Sequence, residues 1–256
     1  MKYWRESLAV AQRILLELLR RRRSLIFWVI FPVLLLFLNG LITAERAQLD
    51  LPDAFEVVAP PTLVGAALFF SCLGGSVATV VAEREQQTLK RLFLSPLSGV
   101  SYFLGIVLAH TAIGVGQSLV VFAIALFSGA QFTGSWLLGI AIIWLSILAY
   151  VGVGFILGTQ FARRTEDVNA LVAAFGVPLL ILGGAFMPTS IFPDSLIELA
   201  QFNPIYHMTE ALTRGLAGEG FEEFGNHVWF LCGFAALMVG SGWVSYRRML
   251  QLERQL

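Results

Sequence analysis

The sequence predicts an all-α, polytopic membrane protein with six transmembrane helices. Three observations predict it. Apolar residues make up 57% of the 256 positions and charged residues only 13%, about half the charged share of a soluble chain. A water-facing domain of this size would lack the polar side chains to cover its surface. The apolar residues fall in runs free of Asp, Glu, Lys and Arg, as the centre of a bilayer demands. These runs are continuous rather than alternating, which suits helices that satisfy their own backbone and does not suit barrel strands. The same composition excludes a disordered chain. The balance of 17 basic against 17 acidic residues excludes an electrostatic nucleic-acid binder.

Residues 1–23 precede the first run and read as a helix lying in the membrane interface. Trp4, Leu8, Ala11, Leu15, Leu18 and Leu19 share one face of a helical wheel, with Lys2, Arg5, Glu6, Arg13, Glu17 and Arg20 opposite. The segment has no apolar stretch of the kind a cleavable signal peptide carries. Spans follow near 24–44 and 59–82, the second opening at Pro60-Pro61. The long charge-free run from Leu92 to Ala162 breaks at Ser128-Gly129 and Gly134-Ser135, which leaves spans near 101–127 and 136–160. The last two fall near 168–187 and 225–246. Each covers the roughly 20 residues that cross the hydrocarbon core.

The basic residues set the orientation. Fifteen of the 17 lie in the N-terminal segment, the 83–100 loop, the 161–168 loop and the C-terminal tail, and only Arg46 and Arg214 fall on the other side. Ten acids occupy those opposite loops. Both termini are therefore expected in the cytoplasm, which requires an even number of spans. A multi-pass position in a plasma membrane is the expected location.

Polar groups inside the spans are few: Asn39, His110, Gln117 and Gln160 serve as interhelical links or as pathway lining. Cys72 and Cys232 each fall within a span and read as free thiols. Gly154-x-x-x-Gly158 and Gly74-x-x-x-Ala78-x-x-x-Ala82 are small-residue faces suited to close helix contact, within one subunit or between two. No charge sits at a span midplane, so an ion-coupled carrier lacks its usual residues. A membrane-embedded hydrolase lacks His-Glu-x-x-His and Gly-x-Ser-x-Gly.

Two segments between spans carry more information. In 83–96, Glu83, Arg84 and Glu85 precede an apolar stripe of Leu89, Leu92 and Phe93 at helical spacing, and Pro96 ends it. Such a helix either docks into a groove on a soluble partner or is a solvated loop that anchors the span. Segment 188–214 holds Ile191, Phe192, Leu196, Leu199 and Phe202, too apolar for a free loop, yet it is broken by Pro188, Pro193 and Pro204. A re-entrant element dipping into the outer leaflet fits, as does a small external cap.

These stretches resemble the permease subunits of type-2 ABC transporters. That family carries a Glu-Arg-Glu-x-x-Thr-Leu-x-Arg-Leu-like segment after its second span with a Pro close behind, here Glu83, Arg84, Glu85, Thr88, Leu89, Arg91, Leu92 and Pro96. Gln87 stands where Gly is usual and Lys90 where an acid is common. The entry into the first span, Arg23-Ser24-Leu25-Ile26-Phe27-Trp28 with Pro32, is similar to the family's. So is the stretch from Gly183-Gly184-Ala185-Phe186-Met187-Pro188 through Pro193 and Asn203-Pro204 to Arg214.

The resemblance implies that 83–96 is the coupling helix and 188–214 the outer re-entrant segment. It implies a transport subunit rather than an enzyme, paired with a second permease copy and with separate ABC ATPase subunits that hold ATP and Mg. The chain has only Lys2 and Lys90, and neither follows a Gly-rich phosphate loop. The first-span entry resembles drug- or lipid-exporting members more than polysaccharide exporters, so a hydrophobic or amphiphilic substrate is expected, with polysaccharide or glycolipid export as the alternative.

Overall fold

The computed structural model describes residues 2–20, 22–86, 88 and 97–253. Among them there is no β-strand, and six helices are long and apolar enough to cross a membrane. We number the helices α1 (Lys2–Arg20), α2 (Arg22–Ala47), α3 (Leu51–Glu85), α4 (Gly99–Phe127), α5 (Trp136–Phe161), α6 (Thr165–Leu182), α7 (Asp194–Ala200), α8 (Pro204–Ala217) and α9 (Phe221–Glu253). The spans are α2 to α6 and α9.

α3 is the central rod, with 78% of its most apolar stretch buried inside the protein. It packs against α2, α4, α5 and α8. It starts earlier than expected. Pro52 occupies its first turn, where a missing N–H costs nothing, and Pro60-Pro61 fall inside the helix rather than at its start. Two consecutive residues without N–H groups break the regular ladder. The helix absorbs this by widening into π geometry over Leu63–Gly74. α6 does the same over Val172–Gly176, just ahead of Pro178.

Close contact between α3 and α5 rests on the glycine face predicted from the sequence. A Cβ on Gly154 would lie 1.9 Å from the Ser76 hydroxyl, and one on Gly158 would lie 3.0 Å from Val80. This face therefore packs within the subunit. By contrast α2, α6 and α9 are each only 17% buried over their most apolar stretch. Their outward faces (Phe27 and Leu34, Phe175, Trp229) suit lipid or another copy.

Of the four polar groups expected inside the spans, His110, Gln117 and Gln160 link helices and Asn39 lines a cavity. His110 Nδ1 donates to the Ser71 carbonyl (3.1 Å), and its Nε2 lies 3.3 Å from the Thr79 hydroxyl. Gln117 Nε2 donates to the Trp28 carbonyl (3.0 Å) and Gln160 Nε2 to that of Ser245 (3.2 Å). Cys72 is buried and Cys232 half-buried; both are free thiols.

α1 is amphipathic, with a different division of its faces from the one the wheel implies. Ser7, Val10, Ala11 and Ile14 are buried, mainly against α4. Gly105 admits Val10 so closely that a Cβ there would meet it at 2.5 Å. Trp4, Leu8 and Leu19 remain exposed. The helix thus has one stripe for the protein and a neighbouring apolar stripe left open.

Candidate functional site

The charged cluster at the end of α3 joins elements that are far apart in sequence. Glu83 lies in the last turn of α3 and is only 5% exposed. Its carboxylate is turned inward, accepting from the Arg13 guanidinium of α1 on one oxygen and from the Tyr102 hydroxyl of α4 on the other. Tyr102 in turn stacks on Tyr246 of α9, with ring centroids 5.4 Å apart. Arg84 points the other way and donates to the carbonyls of Gly158 (3.0 Å) and Ala162 (3.2 Å) at the end of α5. Those are terminal carbonyls that the helix itself cannot satisfy. Glu85 accepts from the Thr165 hydroxyl (2.8 Å) and backbone N–H (3.3 Å) at the start of α6.

Supporting contacts surround this cluster. Asp167 accepts from the backbone N–H groups of Arg163 and Arg164, both at 2.9 Å, and so fixes the α5–α6 turn. Those two donors hold the Asp167 side chain at the first turn of α6, where a carboxylate also complements the helix dipole. Glu6 of α1 accepts from the Ser101 hydroxyl (2.6 Å) at the start of α4, where Ser98 is the N-cap. That hydroxyl is the main reason the Glu6 carboxyl sits below the usual range.

α3 ends at a turn at Gln86 and Thr88 is helical; Leu89, Arg91 and Leu92 lie outside the described residues, as does Pro96. Of the seven residues singled out in the coupling segment, the structure brings Glu83, Arg84 and Glu85 together. It adds three that sequence reasoning missed: Arg13, Tyr102 and Thr165. Arg13 had read only as part of a solvated face. The basic N-terminal helix, the end of α3, the α5–α6 turn and Tyr246 gather at this one end, as the charge partition requires.

The opposite end holds the broken segment. A 3-10 turn over Thr189–Ile191 follows Pro188, α7 follows Pro193, and α8 begins at Pro204. Asn203 joins two elements: its Oδ1 accepts from the Ile205 N–H (3.0 Å) as N-cap of α8, and its Nδ2 donates to the Leu179 carbonyl of α6 (2.7 Å). Arg214 pairs with Glu210 (2.9 Å) and Glu219 (3.7 Å). α8 is anchored to the α4–α5 loop, since Gly134 N–H donates to Leu216 (2.8 Å) and the Thr133 hydroxyl to Ala217 (2.9 Å). A Cβ on Gly134 would lie 2.1 Å from the Gly215 carbonyl, so only glycine fits that approach.

A second cluster at this end was also missed. His207 of α8 stands with Nδ1 2.9 Å from Nδ1 of His227 in α9, and its Nε2 donates to the Gln201 carbonyl (2.8 Å). Phe230 stacks on its ring at 3.8 Å. Burial holds the His207 imidazole below its ordinary pKa, partly offset by the Gln201 carbonyl.

A polytopic helical membrane protein with a charged hub at one end and a broken, folded-back segment at the other is the class these observations define. Residues 5–216 match the ABC-2 type transporter family, and the chain belongs to that family. It is 27% identical over 172 residues to the "Probable multidrug ABC transporter permease YbhR" of Escherichia coli (strain K12), covering 66% of this chain and 46% of that one. It is 23% identical over 158 residues to the "Inner membrane transport permease YadH" of the same strain, covering 62% and 61%. The chain spans about half to three-fifths of the length of the curated relatives it matches.

Proposed function

We propose that this chain is the membrane subunit of an ATP-driven exporter in an inner membrane, with both termini cytoplasmic, and that it moves a hydrophobic or amphiphilic substrate such as a drug or lipid. The multidrug label of YbhR and the inner-membrane label of YadH support the substrate class and the location. ATP and Mg belong to separate ABC ATPase subunits, which grip segment 83–96 as a coupling helix. A second permease copy, identical or related, completes the pathway at the dimer axis.

The observation that carries this reading is the divergent bonding of Glu83, Arg84 and Glu85. Three successive side chains lead to α1 and α4, to α5 and to α6. A push delivered just beyond Glu85 is therefore shared by most of the bundle rather than spent on bending one helix end. Closure of the ATPase pair tilts α3 and α4 against α2 and α6, and segment 188–214 yields to open the outer side. Such a cycle needs contacts that differ between two states. Exposed Glu85–Thr165 contacts are suited to exchange, whereas the buried Glu83 group stays fixed.

The test is reconstitution with the cognate ATPase and an amphiphilic dye. Glu85→Ala should leave ATP hydrolysis and expression intact while dye export falls. Glu83→Gln, which keeps shape and acceptor, should be milder than Glu83→Ala. Full ATP-linked export by Glu83→Ala and Glu85→Ala, at normal protein levels, rules out the coupling role.

A further inference from the structure

Between the outer end of α2, the start of α3, the 184–191 turn and α8 lies a cavity of about 730 Å³. That is within the roughly 300–1,000 Å³ of sites that enclose a small molecule. One wall is apolar and is formed by Ile42, Val57, Val58 and Phe186. Phe186 is braced edge-on by Phe31, with ring centroids 6.5 Å apart. The other wall carries Thr209, Glu210 and Thr213 from successive turns of α8, and Arg46 joins from the last turn of α2.

Two charged residues line the cavity. Glu210 is paired with Arg214 at 2.9 Å and accepts from the Thr189 hydroxyl at 3.0 Å. Arg46, in contrast, has no ion pair or hydrogen bond among the described residues. Of the two, only the cation is without a partner. Thr209 is 5% exposed, and its hydroxyl and that of Thr213 have no partner. A buried unpaired hydroxyl is costly, and threonine in a helix has two accessible χ1 rotamers. Rotation about χ1 exchanges hydroxyl for methyl at the wall when an acceptor arrives.

We infer that this cavity is a binding site for one single-chain anionic amphiphile, with the head group at Arg46 and the threonine hydroxyls and the chain along Ile42, Val57 and Phe186. The four features require such a ligand together: apolar length, a lone cation, unpaired donors and room for a single chain. The inference takes from the permease reading only that this face meets the outer half of the membrane.

The full chain is placed in nanodiscs of phosphatidylcholine without ATPase or nucleotide, and binding is read by native mass spectrometry. Lysophosphatidylglycerol should bind once per chain, lysophosphatidylcholine roughly tenfold more weakly, and glycerol 3-phosphate, the head group without a chain, not at all. Arg46→Gln should erase the difference between the two lysolipids. Thr209→Val should weaken lysophosphatidylglycerol about tenfold, the lower worth of one hydrogen bond to a charged group, without lowering the melting temperature of the unliganded protein. Val57→Trp should obstruct the path of the chain along Ile42 and Phe186 and weaken binding. Equal binding of the two lysolipids, an anion preference that survives Arg46→Gln, binding of glycerol 3-phosphate alone, or full binding by Val57→Trp overturns the proposal. Intact binding with ATP-linked export lost in reconstitution counts against the permease reading alone, and no binding by transport-competent protein against this one alone.

Discussion

The two ends of the bundle are held together in different ways. At the basic end, the ties run between elements 70, 74 and 80 residues apart in the chain: Arg13 to Glu83, Arg84 to Gly158 and Thr165 to Glu85. At the opposite end the ion pairs are local, Arg214 to Glu210 four residues away, and the longer ties are single hydrogen bonds, Thr189 to Glu210, Asn203 to Leu179, and Thr133 and Gly134 to the end of α8, beside ring stacking and one histidine pair. Long-range charged ties make several helices respond as a unit. Local ties let a segment shift while its own helix survives. Under the proposed function, that asymmetry supplies a stiff receiver and a yielding exit.

The largest effect that sharpens this contrast is expected at Glu83. Glu83→Ala leaves the Arg13 guanidinium and the buried Tyr102 hydroxyl without their acceptor. The Arg13 side chain is 35% exposed and keeps part of its hydration, so the main cost is the orphaned Tyr102 hydroxyl, about 1–3 kcal/mol, and the melting temperature of the purified protein should fall. Glu83→Gln should recover much of it. An unchanged melting temperature for Glu83→Ala would mean that the basic end is no stiffer than the other.

Next in size is the close α3–α5 contact. Gly154→Ala places a methyl against the Ser76 hydroxyl and within 2.9 Å of the Leu73 carbonyl. Overpacking of this kind costs about 1–3 kcal/mol. Ser76→Gly in the same chain should return part of the loss, because the hydroxyl can be removed and the carbonyl cannot. Thermal unfolding of the single and double variants checks both statements.

The spans were legible in the sequence because the bilayer imposes a length and forbids charge, a constraint written residue by residue. The glycine face of α5 was legible as a small-residue pattern, and its partner became known only once packing chose between α3 and another subunit. Glu83, Arg84 and Glu85 were legible as a cluster, but the direction of each side chain was not. Three adjacent residues on a helix end point about 100° apart, so each meets a different neighbour. Arg13 and Tyr102 escaped notice because nothing local distinguishes a basic residue that folds onto a distant carboxylate from one in solvent. On α1, the sequence shows one broad apolar sector. Only the groove at Gly105 decides that Val10 and Ile14 pack inward while Trp4 and Leu8 stay exposed. The one signal for the His207–His227 pair is two His twenty positions apart across a Gly-rich turn, and nothing in that spacing fixes which rings meet.

At the yielding end the expected effects are smaller. Asn203→Ala removes the N-cap of α8 and the bond to Leu179; a lost cap costs about 1 kcal/mol. Amide exchange should quicken through Pro204–Ala217 and leave α3 unchanged.

The smallest effect should be a pH dependence confined to this end. The Nδ1 contact between His207 and His227 works only if one ring donates and the other accepts, and Nε2 of His207 already donates to Gln201. Burial favours the neutral form, so the folded pKa of His207 lies below its ordinary value of 6.5. The unfolded chain therefore binds the proton first as pH falls. The stabilising contribution is whole above the ordinary value and is lost as pH drops from there toward the lowered one. Amide exchange of α8 should accelerate over that window, and His207→Phe, which keeps the stack on Phe230, should flatten the response. Acceleration spread equally over α3 and α5 would show that the two ends are not mechanically distinct.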